Sequence, residues 1–107
     1  MARIERVNEL IKLELANIIN QEIAIEGCLI TIAYVDCSPD LKNAKIGISV
    51  LPDKFFGTAL SKIKKQSSRI TASLGKKIKL RQVPKLRWVI DSTEKKASEI
   101  DELLKRD

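Results

Sequence analysis

The beginning of the chain alternates apolar and polar positions at helical spacing. Residues 3–23 contain no Gly or Pro, and the polar residues Glu5, Glu9 and Lys12 fall opposite the apolar ones. The apolar positions recur at steps of three and four, as on one face of a helix. They are Ile4, Val7, Ile11, Leu15 and Ile18. The pattern predicts an amphipathic helix from Arg3 to about Ile23, before a break at Gly27.

Two segments typical of β-strands come after this helix. Residues 28–36 are rich in β-branched and aromatic side chains, and residues 43–51 alternate between apolar and polar or glycine positions as far as Val50. Between them, Ser38-Pro39-Asp40-Leu41 has the composition of a turn, because Pro presets φ and Ser and Asp bond to the local backbone. We therefore predict an antiparallel hairpin with one buried face.

The second half predicts a helix, a kink and a second helix. Pro52 ends the strand, and Asp53 can cap the helix that begins next. An apolar stripe at helical spacing runs beyond it. It consists of Phe56, Ala59, Leu60, Ile63, Ile70 and Leu74. Within it, Gln66-Ser67-Ser68 is poor helix material because Ser side chains compete for backbone groups, so we expect the kink there.

A third strand and a last helix complete the predicted order. In residues 86–90, Leu86, Trp88 and Ile90 share one face, which makes Trp88 a core residue. Residues 91–94 have capping-box spacing. The apolar stripe of the last helix is Ala97, Ile100, Leu103 and Leu104. The whole chain, residues 1–107, is predicted to form one α+β domain, a three-stranded sheet with helices on one face.

The positive charge is concentrated in one segment. Lys and Arg exceed Asp and Glu by six over the chain, and the pI is about 9.5. Residues 54–87 contain eleven Lys and Arg and no acidic residue, so the remaining chain is net acidic. This distribution favours a polyanionic partner such as nucleic acid. The alternatives are a solvated face, or a module that docks on an acidic protein or an anionic membrane.

Helical geometry arranges part of this charge. At 100° per residue, Lys62, Lys65, Arg69 and Lys76 fall within about 60° of one another, away from the apolar stripe. In the third strand, Lys85 and Arg87 lie opposite Trp88, so a basic ridge could stand beside a basic strand. The predicted RNA-binding residues are Lys62, Lys65, Arg69, Lys76, Lys77, Lys79, Arg81, Lys85 and Arg87. Because the chain has only four aromatic residues, recognition should depend on backbone charge and RNA shape.

Catalysis, cofactors and metals are not expected. The chain has no His, which removes the commonest general base and metal ligand. Asp36 and Asp40 flank a turn and are better explained by turn chemistry than by a cation site. Cys28 and Cys37 are too few for zinc and should be packing thiols. The sequence contains no apolar run of about 18 residues and no secretion signal, so we expect a cytoplasmic protein without membrane contact. We also expect a monomer.

Three segments, in order, resemble the ribosome-binding factor A family over essentially the whole chain. The first is Arg3-Ile4-Glu5-Arg6-Val7-Asn8-Glu9-Leu10-Ile11. The second is Ile30-Thr31-Ile32 with residues 35–44, which include Asp36-Cys37-Ser38-Pro39-Asp40. The third is residues 80–91, which include Pro84-Lys85-Leu86-Arg87-Trp88.

The resemblance implies a type II KH-like fold in which a kink between two helices replaces the Gly-x-x-Gly loop. It also implies a bacterial, non-enzymatic factor that binds 16S ribosomal RNA and the free, immature 30S subunit. Late maturation, 5′-end rRNA processing and cold adaptation are the implied roles. Where the family's kink is commonly Ala-x-Gly, this chain has Gln66-Ser67-Ser68. We also expect it to be without the long C-terminal tail of some members.

Overall fold

A computed structural model describes residues 3–79 and 82–91. The elements are α1 (Arg3–Glu22), β1 (Leu29–Cys37), β2 (Asn43–Leu51), a 3₁₀ helix (Asp53–Phe55), α2 (Phe56–Lys65), α3 (Ser67–Lys77) and β3 (Lys85–Ile90). Each predicted helix and strand within the described residues is present, and the ends of α1 and of the three strands lie within one residue of their predicted positions. The predicted last helix and residues 92–94 of its capping box lie outside the described residues.

The sheet has the order β1-β2-β3, with β2 in the centre. β1 and β2 form the predicted antiparallel hairpin, in which Ile30 pairs with Val50 and Cys37 with Ala44. β3 runs parallel to β2, so α2 and α3 form the crossover that a parallel pair requires. One face of the sheet therefore carries the helices, and the opposite face is called the open face below.

The core lies between the helices and the inner face of the sheet. Its strand side chains come from alternate positions, and its helical side chains come from the predicted stripes. The hydrophobic core residues exposed by 1% or less are Ile11, Leu15, Ile19, Ala44, Ile46, Ile48, Val50, Ala59, Ile63, Ile70 and Leu74. Leu86, Trp88 and Ile90 pack against this core, as predicted, although each stays partly exposed.

A β-bulge in β1 changes which side chains face the helices. The pairing shifts between Ile32 and Tyr34. After the bulge, Val35 faces inward and Tyr34 faces the open side. Tyr34 pairs with Gly47 of β2, and a Cβ atom at Gly47 would overlap the tyrosine ring. Glycine is required there because the ring covers the backbone.

The turn between β1 and β2 has the predicted chemistry. The Ser38 hydroxyl donates to Asp40 Oδ1 at 2.6 Å, and the Lys42 backbone N–H donates to the same oxygen at 3.0 Å. These hydrogen bonds hold the pKa of the Asp40 carboxyl below its usual value. Leu41 takes a left-handed conformation with φ 59°. Asp40 is thus a turn residue.

The prediction that Asp53 caps the next helix is wrong. Asp53 is the first residue of the 3₁₀ helix, and the capping position belongs to Pro52, which has no side-chain acceptor. α2 then begins after Phe55, again without a side-chain cap. The short 3₁₀ turn separates Asp53 from the first amide groups of α2, and no pattern of apolar and polar residues indicates such a turn.

Candidate nucleic-acid interface

The helix that carries most of the basic segment is interrupted at Gln66. α2 ends at Lys65 and α3 begins at Ser67, and Gln66 itself has φ −98° and ψ 6°, outside the helical range. Its backbone N–H donates to the carbonyl oxygens of Lys62 and Ile63, at 3.0 and 3.2 Å. The discontinuity therefore lies within residues 66–68, where the sequence predicts it.

Both helices turn their apolar faces toward the core despite the interruption. Ile63 before it and Ile70 after it are both fully buried. On the outer side, Lys62 Nζ donates to the Ala24 carbonyl at 3.5 Å, and Arg69 Nη1 lies 3.4 Å from Glu22 Oε2. The structure thus brings Lys62 and Arg69 together beside the end of α1.

The contact of Arg69 with Glu22 corrects one expectation from the sequence. The absence of acids from residues 54–87 predicts cations without an acidic neighbour, but Glu22 reaches Arg69 from another element. The arginine side chain remains 66% exposed, and an exposed pair of this kind contributes about 0–1 kcal/mol to stability. Arg69 is therefore partly neutralised yet open to solvent.

The remaining helical cations are exposed near the two helix ends. Lys65 closes α2, Lys76 and Lys77 lie in the last turn of α3, and Lys79 comes after it. Lys76 comes seven residues after Arg69 in one continuous helix, so both lie on the same side. Cations at helix C-termini also interact favourably with the helix dipole, which is a structural role for them. Arg81 lies outside the described residues.

The strand cations do not stand beside this helical group. Lys85 and Arg87 are exposed, while Leu86 and Trp88 between and after them pack against the core. Because neighbouring strand residues point to opposite faces, Lys85 and Arg87 lie on the open face, away from the helices. The basic ridge and the basic strand therefore do not stand side by side, as the sequence suggested they could. The predicted cations form two groups. The helix-side group lies on and after α2 and α3, and the open-face group consists of Lys85 and Arg87 of β3.

A cleft of about 640 Å³ lies at the end of the open face next to the β1–β2 turn. Lys85 and Arg87 line it together with Lys45 and Asp36. The register explains this grouping, because Lys45 pairs with Asp36 on one side and with Arg87 on the other. Sequence reasoning missed Lys45. Its place on the polar face of β2 was predictable, but its position beside β3 was not.

The structure also shows how the potential metal ligands and the cysteines of the described residues are placed. No group of three or more potential metal ligands occurs among residues 3–79 and 82–91. Cys37 is buried and Cys28 packs against the core, and burial raises the pKa of the Cys37 thiol. Both cysteines are packing thiols, as predicted. None of the described helices is long and apolar enough to cross a membrane.

Comparison with known sequences identifies one family. The family model for ribosome-binding factor A matches residues 3–104. The ribosome-binding factor A of Chloroherpeton thalassium is 34% identical over 107 residues, covering 97% of this chain and 86% of that protein. The protein of the same name from Agathobacter rectalis is 36% identical over 112 residues, covering 95% of this chain and 93% of that protein.

Comparison with solved structures agrees on the fold. The crystal structure of ribosome-binding factor A from Thermus thermophilus has a TM-score of 0.72 at 18% identity, covering 84% of this chain and 97% of that one. A homology model of the Thermus thermophilus factor, fitted into a cryo-EM map of its 30S complex, has a TM-score of 0.65 at 19% identity. It covers 86% of this chain and 96% of that one. The KH-like α+β fold predicted from the sequence is confirmed.

Proposed function

This chain belongs to the ribosome-binding factor A family, and from that membership we propose that it binds 16S ribosomal RNA within the immature 30S subunit. As a family member it is a ribosome-binding factor, in a class of binding proteins. The finer roles that we propose are promotion of late 30S maturation and of 5′-end rRNA processing, most needed in the cold. We propose that it acts in the cytoplasm as a monomer.

The observation that carries this proposal is the exposure of the basic residues in residues 54–87, which contain no Asp or Glu and are called the acid-free segment below. All ten of its cations within the described residues are exposed. A protein that neutralises phosphates releases their counterions, so such a surface supplies affinity for RNA without reading its sequence. The helix-side group, Lys62, Lys65, Arg69, Lys76, Lys77 and Lys79, is the part of this surface that flanks the break at Gln66.

A charge reversal on the helix side tests the proposal. In Lys65→Glu/Lys76→Glu, both residues are exposed, so the domain should stay folded. We expect the affinity for 16S rRNA fragments to fall by more than about tenfold at low salt, since two phosphate contacts become repulsive. Arg6→Glu/Lys12→Glu, on the exposed side of α1, is the control with the same charge change and should bind more tightly than the first variant.

Cellular experiments test the assignment to the small subunit. We expect the protein to sediment with free 30S particles, and not with 50S particles or assembled ribosomes. Cells depleted of it should accumulate 16S rRNA with unprocessed 5′ ends, more so in the cold, and the Lys65→Glu/Lys76→Glu variant should not correct this. A protein that stays at the top of the gradient, in cells with normal rRNA ends, would contradict the proposal.

A further inference from the structure

The open face of the sheet carries an aromatic ring next to a row of cations. Tyr34 of β1 pairs with Gly47 of β2, and Gly47 pairs with Val89 of β3. The neighbouring row, two residues along each strand, places Lys45 of β2 beside Arg87 of β3. Strands lie about 4.8 Å apart and alternate residues about 6.6 Å apart, so ring and cations lie within the reach of one nucleotide.

The ring of Tyr34 is held against the sheet. Gly47 has no side chain, and the ring occupies the space that a Cβ atom would need. Tyr34 is only partly buried, so the rest of its surface faces solvent. Its hydroxyl makes no hydrogen bond with any residue that the structure describes. A ring fixed in this way can stack against a base with little loss of side-chain entropy.

The cations of the open face form no ion pair with the described acidic residues, although Asp36 is the cross-strand neighbour of Lys45. Lys45, Lys85 and Arg87 are exposed, and none lies within 4.0 Å of a carboxylate oxygen of residues 3–79 or 82–91. Lys85 and Arg87 are alternate residues of β3, about 6.6 Å apart, a spacing that suits successive phosphates of an extended strand. The cleft beside them gives a phosphate group room to enter.

We propose that this open face is a second RNA-binding site, in which Tyr34 stacks against a base while Lys45, Lys85 and Arg87 bind the adjoining phosphates. The ligand is a single-stranded segment of RNA, because a base is free to stack only where it is unpaired. The site rests on the proposed RNA-binding function, and it adds a contact on the side of the sheet away from the helix-side group. One molecule would then hold two RNA segments.

Acidic residues set the direction of the RNA on this face. Asp36 lies at the β1 end of the cation row, and Glu5 and Glu9 of α1, together with Lys12, line a depression at the β1 side of Tyr34. The carboxylate of Asp36 and the net negative charge of the depression both disfavour phosphate there. The RNA segment therefore runs from Tyr34 across β2 and along β3. The combination of a base-sized ring with cations on one side favours RNA over an acidic peptide, which would need no ring.

Binding of a uridine decamer to the full chain tests the site. Lys45→Ala/Arg87→Ala should reduce the slope of log affinity against log salt by about 1.4, because two phosphates are no longer neutralised. Arg3→Ala/Arg6→Ala, in the first turns of α1, is the matched control and should leave the slope unchanged. Tyr34→Phe should bind like the parent, whereas Tyr34→Leu should bind about 5- to 150-fold more weakly, as expected when one base no longer stacks.

A measurement on the unaltered protein is independent of any effect that a substitution has on folding. In a ¹⁵N-labelled sample, the decamer should shift the backbone amides of Tyr34, Lys45 and Arg87. If a polyglutamate peptide shifts these amides and RNA does not, the face binds acidic protein and the inference is overturned. If RNA shifts only helix-side amides, and Lys45→Ala/Arg87→Ala and Tyr34→Leu both bind like the control, the second site is wrong and the proposed function stands. If the decamer and 16S fragments bind nowhere, both fail.

Discussion

At the scale of single residues, Trp88 has an unusual environment. Its indole packs against the core, and its Nε1–H is buried without a hydrogen-bond acceptor among the described residues. A buried donor left unpaired costs about 1–3 kcal/mol, which offsets part of the stability that the ring contributes. The ring thus stabilises the fold through its volume and apolar surface, whereas its N–H group contributes no hydrogen bond to the described residues.

We therefore expect two substitutions of Trp88 to differ in how much they lower the stability. Trp88→Ala should lower the free energy of unfolding by about 3 kcal/mol, because it opens a cavity and removes apolar packing. Trp88→Phe keeps most of the apolar surface and removes the unpaired N–H, so it should cost less than about 1 kcal/mol. Urea denaturation measures both.

RNA titration provides the second readout for Trp88. Because the indole faces the core, its fluorescence should change little when RNA binds to either basic group. Strong quenching, together with a normal unfolding free energy for Trp88→Ala, would make Trp88 a stacking residue and contradict its assignment to the core.

At the scale of elements, the break between α2 and α3 has two candidate causes. One is the weak helix propensity of Gln66, Ser67 and Ser68. The other is packing, because Ile63 and Ile70 on either side are fully buried. Replacing residues 66–68 by three alanines separates the two causes, since alanine has the highest helix propensity.

We expect packing to preserve the break in the triple-alanine variant. Residue 66 should keep an HN–Hα coupling constant above that of the flanking helices, in line with its φ of −98°. Gln66→Ala alone is the control for removal of the glutamine side chain. A helical coupling constant at residue 66 in the triple variant would show that local sequence creates the break.

The elements also show how far the fold was predictable from the sequence. Helix α1 and strand β2 were predictable within a residue because apolar spacing alone defines them. The bulge before Tyr34 and the pairing of Lys45 with Arg87 depend on partners distant in the chain. Periodicity within a segment carries no information about such partners. The division of the basic residues between two faces was missed for the same reason.

At the scale of the whole molecule, the acid-free segment passes from one side of the sheet to the other. It runs through α2 and α3 on the helical side and returns as β3, whose Lys85 and Arg87 point to the open face. The net acidic remainder supplies α1, the hairpin and the contact of Glu22 with Arg69. Positive charge therefore faces two directions, although it comes from one contiguous stretch of sequence.

The central position of β2 also governs the order of folding. Its antiparallel partner is adjacent in sequence, but its parallel partner is separated from it by all of α2 and α3. Closing so long a loop costs entropy before any contact repays it, so the hairpin should form early and β3 should dock late. During synthesis, α2 and α3 would leave the ribosome before the strand that completes the sheet.

Kinetics can test this order, with Trp88 fluorescence as the reporter of β3. Ile90→Ala, in β3, should accelerate unfolding and leave the folding rate nearly unchanged, as expected for contacts made after the transition state. Ile32→Ala, in the hairpin, should slow folding. Equal slowing of folding by both substitutions would mean that β3 is already docked at the barrier. Late docking would leave one edge of β2 unpaired in every newly made chain until residues 85–90 are synthesised and pair with it. An unpaired strand edge can pair with another chain, so aggregation is most favoured during this interval.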